Sequence, residues 1–365
     1  MTRFDFKIIF IHKQALKYPL TARILARLQV PTEIIDDSLV IREEIEKSPD
    51  PIAAGKKILY LAQQKGKFIK PCPCTPRMIR CGYLIINSIL GCPIDCSYCI
   101  LQAYLDDPWI TIFVDEDKLE NSLRPLLKAS LPAGLRIGPG ELTDSLALEP
   151  YTRQAERLAQ LFYRSSRTIL ELKTKTTNID SWLDWPPSPN IVFSWSLNAE
   201  TIAKEEEKGA PPVGERIRAA AQLAIRGHQV GFHFDPLIYF EGWEREYEKV
   251  IKELFALIPS KLIRWISLGA LRYPLNFRKI ILLRFRHKAI FASEMIIGRD
   301  GKFRYFKPLR IKLYTRIYEM IRDYGGENLP LYLCMEDEEV WELILKKKPE
   351  RRKDLFLLFS PPVNN

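Results

Sequence analysis

Apolar and polar positions alternate with a changing period along this chain, and from about residue 83 the change is regular. Short apolar runs alternate with longer stretches whose apolar residues recur every three or four positions. The runs YLIINSI (83–89), LRIGPG (135–140), TILELKTK (168–175), NIVFSWSL (190–197), QVGFHFDP (229–236) and IRWISLGA (263–270) have the length and β-rich content of buried strands. Between most of them lie helical patterns: EDKLENSLRPLLKA, YTRQAERLAQLFYR, GERIRAAAQLAIRG and WEREYEKVIKELFALI. Six strands joined by crossover helices predict a parallel sheet, open or closed into part of a (β/α) barrel. Residues 176–189, TTNIDSWLDWPPSP, are the exception, where a full helix is not expected.

The pattern divides the chain in three. Residues 1–80 form an N-terminal α/β region with a strand (FKIIFIHK), a helix (LTARILARLQ) and a Lys-rich helical stretch (AAGKKILYLAQQKGK). Residues 81–271 form the alternating core. Residues 272–365 form a C-terminal extension: a hairpin or two, a helix (LRIKLYTRIYEMIRDYG) and a strand (LPLYLCM). The fold class expected is α/β, a partial (β/α)6 barrel of the TIM type with both extensions. The tail KKKPERRKDLFLLFSPPVNN has no firm reading.

Composition sharpens this picture. With 365 residues and 47% hydrophobic content the chain can bury a large core. It has no apolar run long enough to span a bilayer, and its first residues read as a strand rather than a signal peptide. A cytoplasmic, reducing location without membrane attachment is therefore expected. The net charge is +10, yet residues 272–316 alone carry +11 and the remainder sums to −1. Tyr and Phe are interleaved with that basic segment, the composition of a nucleic-acid surface in which cations displace counterions and rings stack on bases. Within it Arg272, Tyr273, Arg304 and Tyr305 are candidate substrate contacts.

Three of the seven cysteines fall in GCPIDCSYC, residues 91–99. In a reducing compartment such crowding points to metal ligation rather than a disulfide. No partner motif with zinc-finger spacing accompanies Cys92, Cys96 and Cys99. Three thiolates on one tight loop after a strand suit a [4Fe–4S] cluster, whose fourth iron is left for an exogenous ligand. Cys72, Cys74 and Cys81 precede the core and Cys334 lies near the end. Their spacing matches no ligand set and they read as buried reduced thiols, with an auxiliary cluster or zinc, or a hydrogen-atom donor among them, as alternatives. His233 and Asp235 point the same way from one strand, either toward substrate or into a satisfied core.

C-x3-C-x2-C with Tyr98 before the last cysteine resembles the signature of radical S-adenosylmethionine enzymes. That resemblance implies a partial (β/α)6 barrel, S-adenosylmethionine chelated to the open iron, and a 5′-deoxyadenosyl radical that takes hydrogen from substrate. QALKYPLTARIL (14–25), YCILQAYL (98–105), ELKTKTTNID (171–180), FSWSLNAE (193–200), GERIRAAAQLAIRGHQVGFHFDPL (214–237) and EGWEREY (241–247) resemble, in order, spore photoproduct lyases. This narrower resemblance implies a carbon–carbon lyase acting on UV-damaged DNA, fed by an electron donor such as flavodoxin or ferredoxin. It places the cluster on Cys92, Cys96 and Cys99. It places S-adenosylmethionine contacts on Tyr98, Thr143, Lys175 and Ser196, with Asn198 at the same strand end.

Two departures stand out. The family's hydrogen-donor cysteine falls at Glu141, whose O–H bond is too strong for that role, and the tyrosine after the third cluster cysteine is Ile100. GPGE (138–141) instead resembles the motif with which other radical enzymes hold the ammonium of S-adenosylmethionine, a sound task for a carboxylate. Two other readings remain: a radical enzyme acting on a different, non-lesion substrate, and a nucleic-acid-binding module with a structural metal.

Overall fold

The computed structural model describes residues 2–74, 77–128, 134–163 and 168–346, with Leu355 and Phe359. All six expected core strands form: β1 (Leu84–Ile86), β2 (Leu135–Gly138), β3 (Thr168–Thr174), β4 (Ile191–Ser196), β5 (Gln229–Leu237) and β6 (Ile263–Ala270). LPLYLCM, expected in the C-terminal extension, supplies a further strand, β7 (Leu331–Leu333), parallel to β6. The eight-stranded sheet runs β7–β6–β5–β4–β3–β2–β1 and ends on Ile69–Pro71, antiparallel to β1.

This sheet is curled into a partial barrel. Arg136 on β2 hydrogen-bonds the Tyr332 hydroxyl on β7 at 2.8 Å. In a flat sheet those strands, five spacings apart, would lie about 24 Å from each other. The concave face, the lumen side of the barrel, carries small residues, including Gly138, Ser194, Gly231, Ser267 and Gly269, and larger groups such as Trp265 and Asp235 pack directly against its glycines. Helices pack outside it. Val213–Ile225 (α1) buries Val213, Ile217, Ala220 and Leu223, while Trp243–Leu257 (α2) buries Tyr247, Val250, Ile251 and Leu254. The stretch 176–189 holds a single 3₁₀ turn, Asp180–Trp182. Of the tail, Lys346, Leu355 and Phe359 are described, and the Phe359 ring lies under the Arg136 guanidinium, 3.8 Å from ring centre, at the floor of the barrel.

Away from the barrel, the N-terminal residues build a five-stranded sheet ordered Thr32–Ile35, Ile8–His12, Ile58–Ala62, Ile110–Phe113, Ile89–Leu90. Two of its strands come from beyond residue 80. The Lys-rich stretch is not a helix throughout: Pro51–Gly55 is helical, but Ile58–Ala62 is a central parallel strand, buried at every position. A continuous apolar run fits a two-sided buried strand as well as a helix, and the sheet context decides. The C-terminal segment forms a three-stranded antiparallel sheet, Arg272–Pro274, Lys302–Tyr305 and Met295–Ile297, with a helix at Phe277–Arg284 (α3) that the sequence pattern did not suggest.

One expected helix, YTRQAERLAQLFYR, is broken. Glu149–Thr152 and Gln154–Phe162 meet at Arg153, which adopts a left-handed conformation (φ 51°). The Glu149 carboxylate accepts the N–H groups of Ala155 and Glu156 at 2.8 and 2.9 Å, capping the second helix from inside the protein. Burial pushes its carboxyl up to about 7, against the lowering effect of those two hydrogen bonds.

Two outcomes are expected. In the folded chain Glu149 binds its proton more tightly than the ordinary value of 4.5 allows, so its contribution makes stability fall as pH rises from about 4.5 to 7. The difference in unfolding free energy between wild type and Glu149→Gln, measured by urea titration, is expected to change across that window and level off above it. A Cβ at Gly138 would sit 2.0 Å from the Glu171 carbonyl oxygen. Because that neighbour is backbone, Gly138→Ala is expected to lower stability by about 1–3 kcal/mol or more, checked in the same titration.

Candidate functional site

The cysteine loop is held from outside. Residues Asp95–Cys96 pair antiparallel with Glu207–Lys208. The Ser97 N–H donates to the Glu206 carbonyl at 2.8 Å and its hydroxyl to the Glu206 carboxylate. The Tyr98 hydroxyl donates to Glu207, whose other oxygen meets Arg216 at 2.5 Å, both side chains being sealed from solvent. The Lys56 ammonium donates to the carbonyls of Cys92 and Ile94 at 2.9 Å each, and Gln102 donates to the Cys96 carbonyl at 2.9 Å. With the backbone engaged on its outer side, the loop keeps its thiols close enough to sense one another's charge. Burial pushes the Cys92 thiol up to about 12, and Asp144 adds to it. Cys96 is raised further by burial, with the Lys175 ammonium opposing. A bare thiolate is disfavoured here; metal coordination would supply the missing positive charge.

Among the described residues no three His, Cys, Asp or Glu side chains converge as ligands of one ion. A single zinc needs its ligands about 2.3 Å from one point, whereas a cubane spreads three thiolates over three irons. The donor set of three adjacent, free, buried-to-half-buried thiols fits the cubane.

Beside the loop lies a glycine-built cradle. A Cβ at Gly140 would come within 2.6 Å of the Lys173 Cβ and 3.0 Å of the Ser145 hydroxyl. The buried hydroxyls of Tyr83 and Ser145 border this cradle and have no hydrogen-bond partner among the described residues. Such orphaned groups suit a bound polar ligand. Glu141 stands at the cradle's end, a third exposed, and pairs with Lys173, a partner the sequence reading missed. A carboxylate has acceptor sites left for a second ammonium. Lys175 places its ammonium 5.8 Å from the Tyr98 ring centre, among Cys96, Cys99 and Glu207, and its N–H anchors on Asp144 at 2.7 Å. Thr143 is buried next to Asp144, and Ser196 is half-buried at the end of β4. Gly91 links the two halves of the site, its N–H donating to the Leu142 carbonyl at 2.9 Å.

Not every candidate points at this space. Asn198 is buried, its oxygen accepting from the Tyr247 hydroxyl at 2.6 Å and its amide donating to the Pro236 carbonyl at 3.1 Å, so it braces β4 against β5 and α2. Tyr273 packs on Phe277, Phe291 and Phe303. Arg304 is 2% exposed and pairs with Asp300 and Glu336, and the buried Tyr305 hydroxyl accepts the Tyr239 N–H. These three serve the interior of the C-terminal segment, because a buried cation or hydroxyl must be paired where it sits.

In the lumen, His233 meets Glu171 at 2.7 Å, and Glu171 also accepts from Ser194 at 2.8 Å and pairs with Arg136 at 3.4 Å. Burial works to raise the Glu171 carboxyl, but Arg136 and His233 outweigh it and hold the group well below the usual carboxylate range. Asp235 receives both Arg272 nitrogens, at 2.9 and 3.0 Å, and a Cβ at Gly269 would strike it at 2.6 Å. The hairpin entering β1 continues the Ile69–Ile86 register toward Cys72 and Cys74, and Ile79 donates to the Glu336 carbonyl beyond β7 at 2.9 Å. It thereby bridges the barrel's open side and brings Cys72 and Cys81 into electrostatic reach of Glu141, Lys173 and Cys334. No helix of the described residues is long and apolar enough to cross a membrane.

Comparison with known proteins agrees with this arrangement. A family model described as spore photoproduct lyase matches residues 79–307. Spore photoproduct lyase of Bacillus subtilis is 29% identical over 251 residues, covering 68% of this chain and 67% of that protein. The Clostridium acetobutylicum enzyme is 21% identical over 246 residues, covering 67% and 72%. The solved structure of a spore photoproduct lyase mutant with dinucleoside spore photoproduct superposes with a TM-score of 0.78 at 20% identity, over 90% of this chain and 98% of that one, and shares the fold. The chain belongs to the spore photoproduct lyase family, a group of radical S-adenosylmethionine lyases.

Proposed function

We propose that this chain holds a [4Fe–4S] cluster on Cys92, Cys96 and Cys99 and S-adenosylmethionine in the Gly138–Gly140 cradle, and acts on a UV-type thymine lesion in DNA. The observation that carries this reading is the adjacency of the inward-facing cysteine loop to a glycine cradle with orphaned hydroxyls and a terminal carboxylate. When bound, the two groups together supply a 5′-deoxyadenosyl radical. The protein's part is placement. Glu141, fixed by Lys173, receives the ammonium, Lys175 meets the carboxylate, and Tyr98 and Ser196 border the remainder. The lumen receives the thymine lesion extruded from the stack and keeps water from a carbon radical. The Asp235–Arg272 pair and His233 are the polar groups it offers the lesion.

The hydrogen return is proposed to be relocated. With Glu141 at the family's donor position, Cys72 is a thiol within electrostatic reach of that carboxylate, and Tyr104, one helical turn after Ile100, is within reach of both Cys72 and Arg272. Transfer breaks the Cys72 S–H bond, forms the product C–H bond and leaves a thiyl radical, which a thiol or one-electron reductant restores with a proton.

Two experiments check this. Anaerobically reconstituted protein with dithionite and S-adenosylmethionine is expected to release 5′-deoxyadenosine and to restore thymines in UV-irradiated spore-type DNA. Radical formation with unchanged lesions would instead favour a different substrate. Cys72→Ala is expected to raise the S-adenosylmethionine consumed per lesion several-fold while Cys74→Ala leaves that ratio unchanged; equal ratios in both variants would remove Cys72 from the return path.

A further inference from the structure

The basic segment includes a surface that neither the lumen nor the C-terminal core uses. Helix α3 turns Phe277 and Ile281 inward. On its other side Leu282 and Leu283 are 59% and 84% exposed, next to the exposed cations Lys279 and Arg286. Among the described residues neither cation forms an ion pair. Two adjacent exposed leucines beside unpaired cations have the anatomy of a protein-docking patch, an apolar centre with a charged rim. Nucleic-acid interfaces are more polar, and leucines at this exposure bring a phosphate backbone no counterpart.

What lies beneath the patch indicates the partner. Arg284, in the same helix turn, points inward and pairs with Asp95 at 2.8 Å, the residue before Cys96. It also donates to Gln102, whose amide in turn donates to the Cys96 carbonyl at 2.9 Å. Lys288 reaches the Glu205 carbonyl at 2.6 Å, beside the segment that pins Ser97. The patch therefore covers the outer side of the cysteine loop, with a hydrogen-bonded chain from its base to a cluster ligand. The lumen side of the loop belongs to S-adenosylmethionine and substrate, so an electron must arrive from this outer side.

We propose that the outer face of α3 docks an acidic one-electron carrier protein of the flavodoxin or ferredoxin type. The proposal rests on the reading that the loop holds a cluster. Charge complementarity would favour encounter and make it salt-sensitive, and the leucines would fill the centre of a small, transient interface.

The test uses the full chain, before and after cluster reconstitution, with an oxidised bacterial flavodoxin as probe. Affinity is measured by calorimetry, and UV-damaged DNA binding and dithionite-driven 5′-deoxyadenosine release are followed in parallel. Leu282→Ser/Leu283→Ser and, separately, Lys279→Glu/Arg286→Glu are each expected to weaken flavodoxin binding about tenfold or more, the charge pair also flattening the salt dependence. DNA binding and dithionite-driven release are expected to stay at wild-type level. Unchanged flavodoxin affinity in both variants overturns the proposal, as does a loss of DNA affinity with flavodoxin binding intact, which would make the patch a nucleic-acid surface. No release from wild type with dithionite would overturn the cluster reading itself, and the docking proposal with it.

Discussion

The structure depends on one constraint: three thiols must face inward from a short loop whose backbone polar groups cannot be left unpaired. Tight loops expose N–H and C=O groups that a buried site cannot leave to water. Here they are taken up from outside, by the Glu206–Lys208 segment, Lys56 and Gln102. The Glu207–Arg216 pair beneath Tyr98 is sealed from solvent, and removing either partner would leave an uncompensated buried charge. The helix that ends at Glu206, and α1 which carries Arg216, are therefore part of the cysteine loop's support as well as of the barrel wall.

The same logic shapes the lumen. Small residues on the concave face let larger polar side chains pack close to the sheet, and charges placed there are paired with partners distant in sequence: Glu141 with Lys173, Glu171 with His233 and Arg136, Asp235 with Arg272. Each pair fixes a side chain without blocking the cradle. The hairpin before β1 and Phe359 close the side and floor that a partial barrel leaves open. Phe359 and Tyr332, packed edge to face, both contact the Arg136 guanidinium, whose buried charge is paired with Glu171.

Much of this was legible in the sequence, for physical reasons. The six core strands were readable because buried parallel strands are continuous apolar runs, and the cysteine spacing because few structures other than a metal site crowd thiols in that way. The strand Ile58–Ala62 was hidden because ILYLA fits either period once flanked by helix formers. The basic segment misled in a different way. Arg272 and Arg310 look like surface charge in sequence, yet their neutralising carboxylates, Asp235 and Glu336, come from elsewhere in the fold, and Arg304 meets Glu336 as well as Asp300 four residues away. Burial of a cation is a tertiary event, and a linear count of charge cannot reveal it. Lys173, Glu206 and Glu207 were missed because their roles are defined only by what they touch.

The most direct test of the account is electron paramagnetic resonance of the anaerobically reconstituted, dithionite-reduced chain, recorded with and without S-adenosylmethionine. The account predicts a reduced [4Fe–4S] signal that changes shape when S-adenosylmethionine is added and is lost when Cys92, Cys96 or Cys99 is replaced by alanine. A chain that takes up zinc or no metal, or a cluster signal indifferent to S-adenosylmethionine, would contradict it.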